Sequence, residues 1–368
     1  MQYMPKSYIQ GDWVDAHDLR TFEVINPASQ TVVANVADLS ADEAAVALDA
    51  AEAAFPEWSK YTAKARSEVL MRWYHLIQDH ADALADLITQ EMGKPRAEAL
   101  AEVNYGASFV DWFAAEARRT YGQIIPAHMP DKRIMAIKQP VGVVLAITPW
   151  NFPLAMITRK VSPALAAGCT VVVKPSEDTP LTALALCALA GEAGMPPGVL
   201  NCVTGLDAPG IGARLIADSR VRKVTFTGST AVGKVLYRQS AETVKKLSLE
   251  LGGNAPFIVF NDADLEAALD GAMLCKFRNA GQTCVCANRI YVQSGIHDEF
   301  VRRFAERVSA LEVGDGATQG VEIGPLINAD GMVKVEAHVE DAIAQGAHIV
   351  CGGTTHPAGP NFYTPTVL

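Results

Sequence analysis

The chain has 368 residues, of which 49% are hydrophobic, and 31 Lys and Arg stand against 41 Asp and Glu for a formal charge of −10. This composition excludes intrinsic disorder, and the length favours two domains over one. No stretch approaches the roughly 18 consecutive apolar residues of a membrane span, and the acidic balance argues against nucleic acid as a partner.

Any acidic substrate must be held by local cations, because the net charge repels it at long range. Residues 1–16 have neither the apolar core of a signal peptide nor an Arg/Ser-rich presequence, so the cytoplasm is the expected compartment. The seven cysteines, at 169, 187, 202, 275, 284, 286 and 351, lack paired metal-ligand spacing. They read as reduced thiols, with no metal site.

Ser40-Ala-Asp-Glu43 is a capping-box pattern that opens a helix running to about Phe55. A second helical pattern covers Ala63 to Glu91 and stops at Gly93-Lys94-Pro95. A third runs from Ala97 to Arg118. The period then changes: Arg133 to Gln139 reads as an exposed strand and Val141 to Ile147 as a buried one.

Regular alternation follows, with strands at Val171–Lys174, Val199–Val203 and Val221–Thr227. Helices are expected between and after them at Thr182–Ala193, Ile211–Ala217 and Thr230–Ser240. Such βαβ units imply a parallel sheet. Loops collect after strand ends at Thr148–Asn151, Pro175–Glu177 and Gly228-Ser229, the edge where open α/β sheets bind ligands. A second unit begins near Leu251, with a strand at Phe257–Phe260, a helix at Leu265–Phe277 and further αβ alternation. The final residues, Asn361 to Leu368, read like the opening of a strand, so the chain is expected to be a fragment.

Several residues could carry chemistry. Gly228 to Lys234 follows a strand and opens a helix, which offers free N–H groups to a phosphate. It nearly spells a P-loop, but Val235 stands where a hydroxyl should ligate Mg²⁺. Gly210-Ile-Gly212 lacks the third glycine of a dinucleotide fingerprint. Glu177, in Lys174-Pro-Ser-Glu177, could accept the hydroxyls of an adenosine ribose and repel a 2′-phosphate, though a solvated loop explains it as well.

In Phe277-Arg-Asn-Ala-Gly-Gln-Thr-Cys284-Val-Cys286, a flexible Ala-Gly approach, the cation Arg278 and a second thiol lift Cys284 above an inert buried cysteine. Glu250 lies between leucines, where burial would raise its pKa and make it a proton acceptor near neutrality, although acids so placed are more often satisfied by structural hydrogen bonds. The Asn151 amide could hold a developing oxyanion, although Asn beside Pro is also ordinary turn chemistry.

Together these segments resemble the aldehyde dehydrogenase superfamily over nearly the whole chain. The motifs that carry the likeness are Thr148-Pro-Trp-Asn-Phe-Pro153, Phe226-Thr-Gly-Ser-Thr230, Glu250-Leu-Gly-Gly253 and Gly281-Gln-Thr-Cys284. The sequence is most similar to NAD(P)-dependent succinate-semialdehyde dehydrogenases, through Ile157-Thr-Arg-Lys160 and Lys276 to Asn288.

The resemblance implies an α/β fold with a Rossmann-like parallel-sheet cofactor domain, preceded by a helical segment, over 1–250. An oligomerisation-type strand segment lies near 125–141, and an incomplete α/β catalytic domain covers 251–368. It assigns Cys284 to attack on the aldehyde, Asn151 and the Cys284 N–H to the oxyanion, and Glu250 to the water that hydrolyses the thioester. It places Trp150, Asn151, Lys174, Pro175, Ser176, Glu177, Gly228, Ser229 and Leu251 at the cofactor.

NAD is favoured over NADP, because NADP-preferring relatives tend to carry a small residue where Glu177 stands. Arg159 and Arg278 match carboxylate-binding arginines. Cys286 matches the second thiol of a redox switch, or is a passive neighbour. A homo-oligomer, dimer or tetramer, is implied for the full length. The alternatives are a glutarate-semialdehyde or other aldehyde dehydrogenase, a CoA-acylating one, an inactive fragment and, distantly, a P-loop phosphotransferase.

Overall fold

The computed structural model describes residues 2–368. Strands β1 (Ser7–Ile9) and β2 (Asp12–Val14) form a hairpin closed by Gln10 and Gly11, at φ 56° and 90°. Two left-handed residues in a two-residue loop suit the twist of the flanking strands. Strands β3 (Thr21–Ile25) and β4 (Val32–Ala37) make a separate two-stranded sheet.

Helix α1 (Ala41–Lys60) starts at the expected capping box: Ser40 Oγ accepts from the Glu43 N–H, and Glu43 Oε2 accepts from the Ser40 N–H at 2.8 Å. It outruns its expected end, continuing through Pro56 to a last turn anchored by buried Trp58. The pattern expected as one helix from Ala63 is two, α2 (Ala63–Asp79) and α3 (Ala81–Met92). They part at His80, whose φ of −107° and ψ of 18° depart from helical values. Apolar periodicity carries across a one-residue bend and so does not register it. Gly93, left-handed at φ 91°, follows α3 as a stop.

Helix α4 (Arg96–Glu116) leads through a short 3₁₀ turn to the exposed hairpin β5 (Gln123–Ile125) and β6 (Ile134–Ala136). Alternation then runs β7 (Val143–Ile147), α5 (Ala155–Ala167), β8 (Thr170–Lys174), α6 (Pro180–Glu192), β9 (Leu200–Cys202), α7 (Ala208–Ala217), β10 (Val221–Gly228), α8 (Thr230–Ala241) and β11 (Lys246–Leu251).

The chain forms two compact units. The first comprises residues 2–23, Ala34–Leu84 and Glu102–Glu250. Its seven-stranded sheet has the order β11-β10-β7-β8-β9-β1-β2. The central strands β10, β7, β8 and β9 are parallel, as expected, but β1 pairs antiparallel with β9, which makes the sheet mixed. The N-terminal hairpin supplies the antiparallel edge.

Strand β8 is buried at every position, and so is α6 up to Ala190 apart from half-buried Ala188. This explains their near-continuous apolar sequences, since a parallel strand is covered on both faces. Register pairs Ile147 with Lys174 and with Phe226. The three loops that follow β7, β8 and β10 therefore line one edge of the sheet.

The second unit comprises Val24–Val33, Ala85–Ala101 and Leu251–Leu368. Here β12 (Ala255–Val259) crosses through α9 (Leu265–Phe277) to the parallel strand β13 (Ala287–Val292). Helix α10 (His297–Ser309) packs Phe300, Phe304 and Val308 against Val259, Leu269 and Ala272. Phe300 and Phe304 stack at 5.5 Å. Helix α11 (Ala329–Ala344) follows. The last residues form isolated bridges, Thr355 to Tyr363 and Cys351 to Val367. Among the described residues no helix is long and apolar enough to cross a membrane.

Candidate active site

On the sheet edge of the first unit, β8 ends at Lys174, whose side chain is buried. Its Nζ donates to the Pro175 carbonyl at 2.8 Å and approaches Glu177 Oε2 at 3.4 Å. Burial pushes the Lys174 ammonium pKa down, with Glu177 opposing. Pro175 is buried, whereas Ser176 and Glu177 are half-exposed. Leaving β7, the Thr148 N–H donates to the Lys174 carbonyl at 3.1 Å, and half-buried Trp150 and Asn151 follow in a bend before α5.

Gly228 closes β10, where a Cβ would lie 2.4 Å from the Phe226 ring. Exposed Ser229 caps α8 by accepting from the Val232 N–H at 3.2 Å. Lys234 and Val235 are both exposed along α8, and nothing in this arrangement favours a P-loop. Leu251 ends β11, half-buried.

Glu250 is exposed, contrary to the burial expected from its leucine neighbours. The strand β11 explains this. Successive side chains alternate between faces, so Leu247, Leu249 and Leu251 turn one way and Lys246, Ser248 and Glu250 the other.

Helix α5 is buried from Ala155 to Lys160 except at Arg159. The half-buried Arg159 guanidinium lies over the Phe109 ring, 5.5 Å from its centroid. Its neighbour Lys160 donates to Thr227 Oγ1 at 2.5 Å and so joins α5 to β10.

In the second unit, Cys284 stands in a turn closed by the Cys286 N–H to the Thr283 carbonyl at 3.2 Å. All seven cysteines are free, and Cys284 is the one that is exposed. Cys286 is buried, and its thiol donates to the Lys276 carbonyl at 3.5 Å. Arg278 is exposed at the end of α9.

The approach to Cys284 is held rather than flexible. Asn279, Ala280 and Gly281 are all left-handed, at φ 55°, 54° and 75°. Such geometry in non-glycine residues costs of order 1–3 kcal/mol each and persists only where the surroundings impose it. The Asn279 N–H donates to Glu98 Oε2 at 2.8 Å. The Gln282 side chain donates to the Pro325 carbonyl at 3.3 Å and accepts from the Ile327 N–H at 3.0 Å.

Sequence reasoning missed Glu98, Gln282 and Glu102, the last of which holds the start of α5 in the first unit. Glu98 sits in the first turn of α4, where an acid is already explained by the helix dipole, so no local signal marked its longer-range partner. Among the described residues no cluster of three His, Cys, Asp or Glu could hold a metal.

A model of the aldehyde dehydrogenase family matches residues 13–368. Succinate-semialdehyde dehydrogenase, NADP(+)-type, of Escherichia coli is 53% identical over all of this chain and 76% of its own length. The mitochondrial succinate-semialdehyde dehydrogenase of Arabidopsis thaliana is 58% identical over 98% of this chain and 68% of its own. Glutarate-semialdehyde dehydrogenase of Pseudomonas aeruginosa is 52% identical over all of this chain and 76% of its own. The crystal structure of an E. coli NADP-dependent enzyme superposes with a TM-score of 0.97 at 53% identity, covering 99% of this chain and 76% of that one.

Proposed function

The chain belongs to the aldehyde dehydrogenase family, and from that premise we propose that it oxidises a short carboxylated aldehyde, succinate semialdehyde, to the acid with reduction of NAD(P). The observation that carries this reading is the placement of Cys284 at an exposed turn while the other six thiols are buried or half-buried. An exposed turn gives the sulfur access to a carbonyl carbon that the buried thiols lack.

In this mechanism the Cys284 sulfur attacks the aldehyde carbon and forms a thiohemiacetal. The Cys284 N–H and the Asn151 side-chain amide are the donors for the developing oxyanion. NAD(P), when bound, supplies the hydride acceptor. Glu250 then takes a proton from the water that releases the acyl group from sulfur, and its exposure on β11 leaves its carboxylate open to solvent.

The residues on the sheet edge suit this cofactor. Lys174 and Glu177 set a cation beside a carboxylate at a strand end, which matches the hydroxyls of a ribose. Trp150, Pro175, Ser176 and Leu251 complete the proposed contacts, with Gly228 and Ser229 beside the pyrophosphate.

We favour NAD because Glu177 places a negative charge where a 2′-phosphate would lie, while the E. coli relative is named for NADP(+). Arg159 and Arg278 are the proposed carboxylate ligands. Cys286 is the proposed resolving thiol for Cys284 under oxidation, and its burial requires the turn to open first. A cytoplasmic setting and a homo-oligomer belong to the same proposal.

Mass spectrometry of the enzyme trapped in turnover tests the nucleophile. An acyl adduct is expected on the peptide from Asn279 to Arg289, and Cys284→Ala is expected to abolish NADH formation while cofactor binding persists. Turnover by that variant would remove the assignment. Rates compared over succinate semialdehyde, glutarate semialdehyde and butanal then rank the substrates.

A further inference from the structure

We propose that Phe109 is a positioning residue for substrate selection, its ring presenting the Arg159 guanidinium to the carboxylate of the aldehyde. This rests on the reading of Arg159 as a carboxylate ligand. The support comes from one face of α4. Residues 102, 106 and 109 are spaced i, i+4 and i+7, which brings them to the same side of a helix, and each meets α5 or its start.

Buried Glu102 accepts from the Leu154 and Ala155 N–H groups at 2.9 and 3.2 Å. It thereby satisfies the first donors of α5 with a charge of the favourable sign. At Gly106 the two elements nearly touch: a Cβ there would lie 2.2 Å from Leu154 Cδ2 and 3.1 Å from Ala155 Cα. Close to one turn further along α4, Phe109 lies under Arg159. Tyr105 packs edge-on against Phe109 at 4.8 Å and limits the swing of its ring.

The choice of an aromatic partner has a chemical consequence. A carboxylate beside Arg159 would neutralise it and compete with the substrate for the same N–H donors. A ring face instead attracts the cation through its quadrupole and leaves the in-plane donors for a bidentate carboxylate. Among the described residues no carboxylate pairs with Arg159, so its charge remains to be matched by a ligand. In a chain of net charge −10, this is the local cation that an anionic aldehyde requires.

The test compares steady-state kinetics of the full-length enzyme and its F109L, F109Y and R159Q variants on succinate semialdehyde and on butanal. F109L is expected to raise KM for succinate semialdehyde about 2- to 30-fold, the range of a cation–π contact from exposed to desolvated settings. Its kcat, and both constants for butanal, should hold. F109Y, which keeps the ring face, should restore KM, and competitive inhibition by succinate should weaken in F109L in step with KM.

Equal losses on both aldehydes, an unchanged KM in F109L, or no rescue by F109Y would overturn the inference. Should F109L fail to fold, F109M carries the same comparison. If R159Q discriminates between the aldehydes and F109L does not, this inference alone falls. If R159Q does not discriminate, the carboxylate reading falls and takes the inference with it.

Discussion

At the scale of single residues, the proposed choice of cofactor turns on the pair Lys174 and Glu177. Lys174 is buried at the strand end with its charge penalised by desolvation, while Glu177 is half-exposed on the following loop. The Lys174 ammonium, 3.4 Å from the Glu177 carboxylate and also donating to the Pro175 carbonyl, offsets only part of the repulsion that carboxylate would exert on a 2′-phosphate. Replacing Glu177 with Ser should raise the ratio of kcat/KM for NADP over NAD on the order of tenfold. Paired kinetics with the two cofactors measure it, and an unchanged ratio would place cofactor choice elsewhere. Lys174 should be left intact in that experiment, since removing it changes the proposed ribose contact and the local charge together.

At the scale of elements, legibility followed the range of the interaction that shapes each one. The α1 capping box is a contact within four residues, and it could be read from Ser40 and Glu43 alone. The break at His80 and the mixed sheet could not. The first is a one-residue departure inside an unbroken apolar period, and the second depends on pairing between Tyr8 and Cys202, far apart in the chain. The candidate functional residues divide in the same way. Cys284 and Asn151 stand in short motifs, whereas the Glu98 bond that holds the cysteine loop joins residues separated by 181 positions.

Glu43 gives the element scale its own test. Its hydrogen bond from the Ser40 hydroxyl, with further bonds from the His17 and Ser40 N–H groups, lowers its pKa from 4.5 to about 2. A carboxyl with a depressed folded-state pKa adds stability that is present above its unfolded pKa and is lost as pH falls through the folded value. Ser40→Ala should therefore cost about 1 kcal/mol near neutral pH. The gap between wild type and variant in denaturant midpoint should narrow from about pH 4.5 down towards 2. A gap that stays constant over that interval would show that the cap acts through the hydroxyl alone.

At the scale of the whole molecule, the hairpin β5–β6 is the feature least explained by the chain's own packing. Ile124 is 86% exposed and Met135 73%, and both strands belong to a sheet of only two. An isolated two-stranded hairpin is marginally stable in water, and its free edges invite pairing with another chain. Its apolar side chains would otherwise remain in contact with solvent, at a cost near 25 cal/mol per Å² relative to burial. The proposed homo-oligomer resolves this if the hairpin is the contact between copies. A lysine at position 124 then has to be desolvated on assembly, so Ile124→Lys should convert the oligomer to a smaller species in sedimentation velocity. The far-UV signal and the thermal midpoint of the individual chain should be retained, because the Ile124 side chain is exposed. An unshifted sedimentation coefficient in a folded Ile124→Lys protein would exclude the hairpin as the assembly surface.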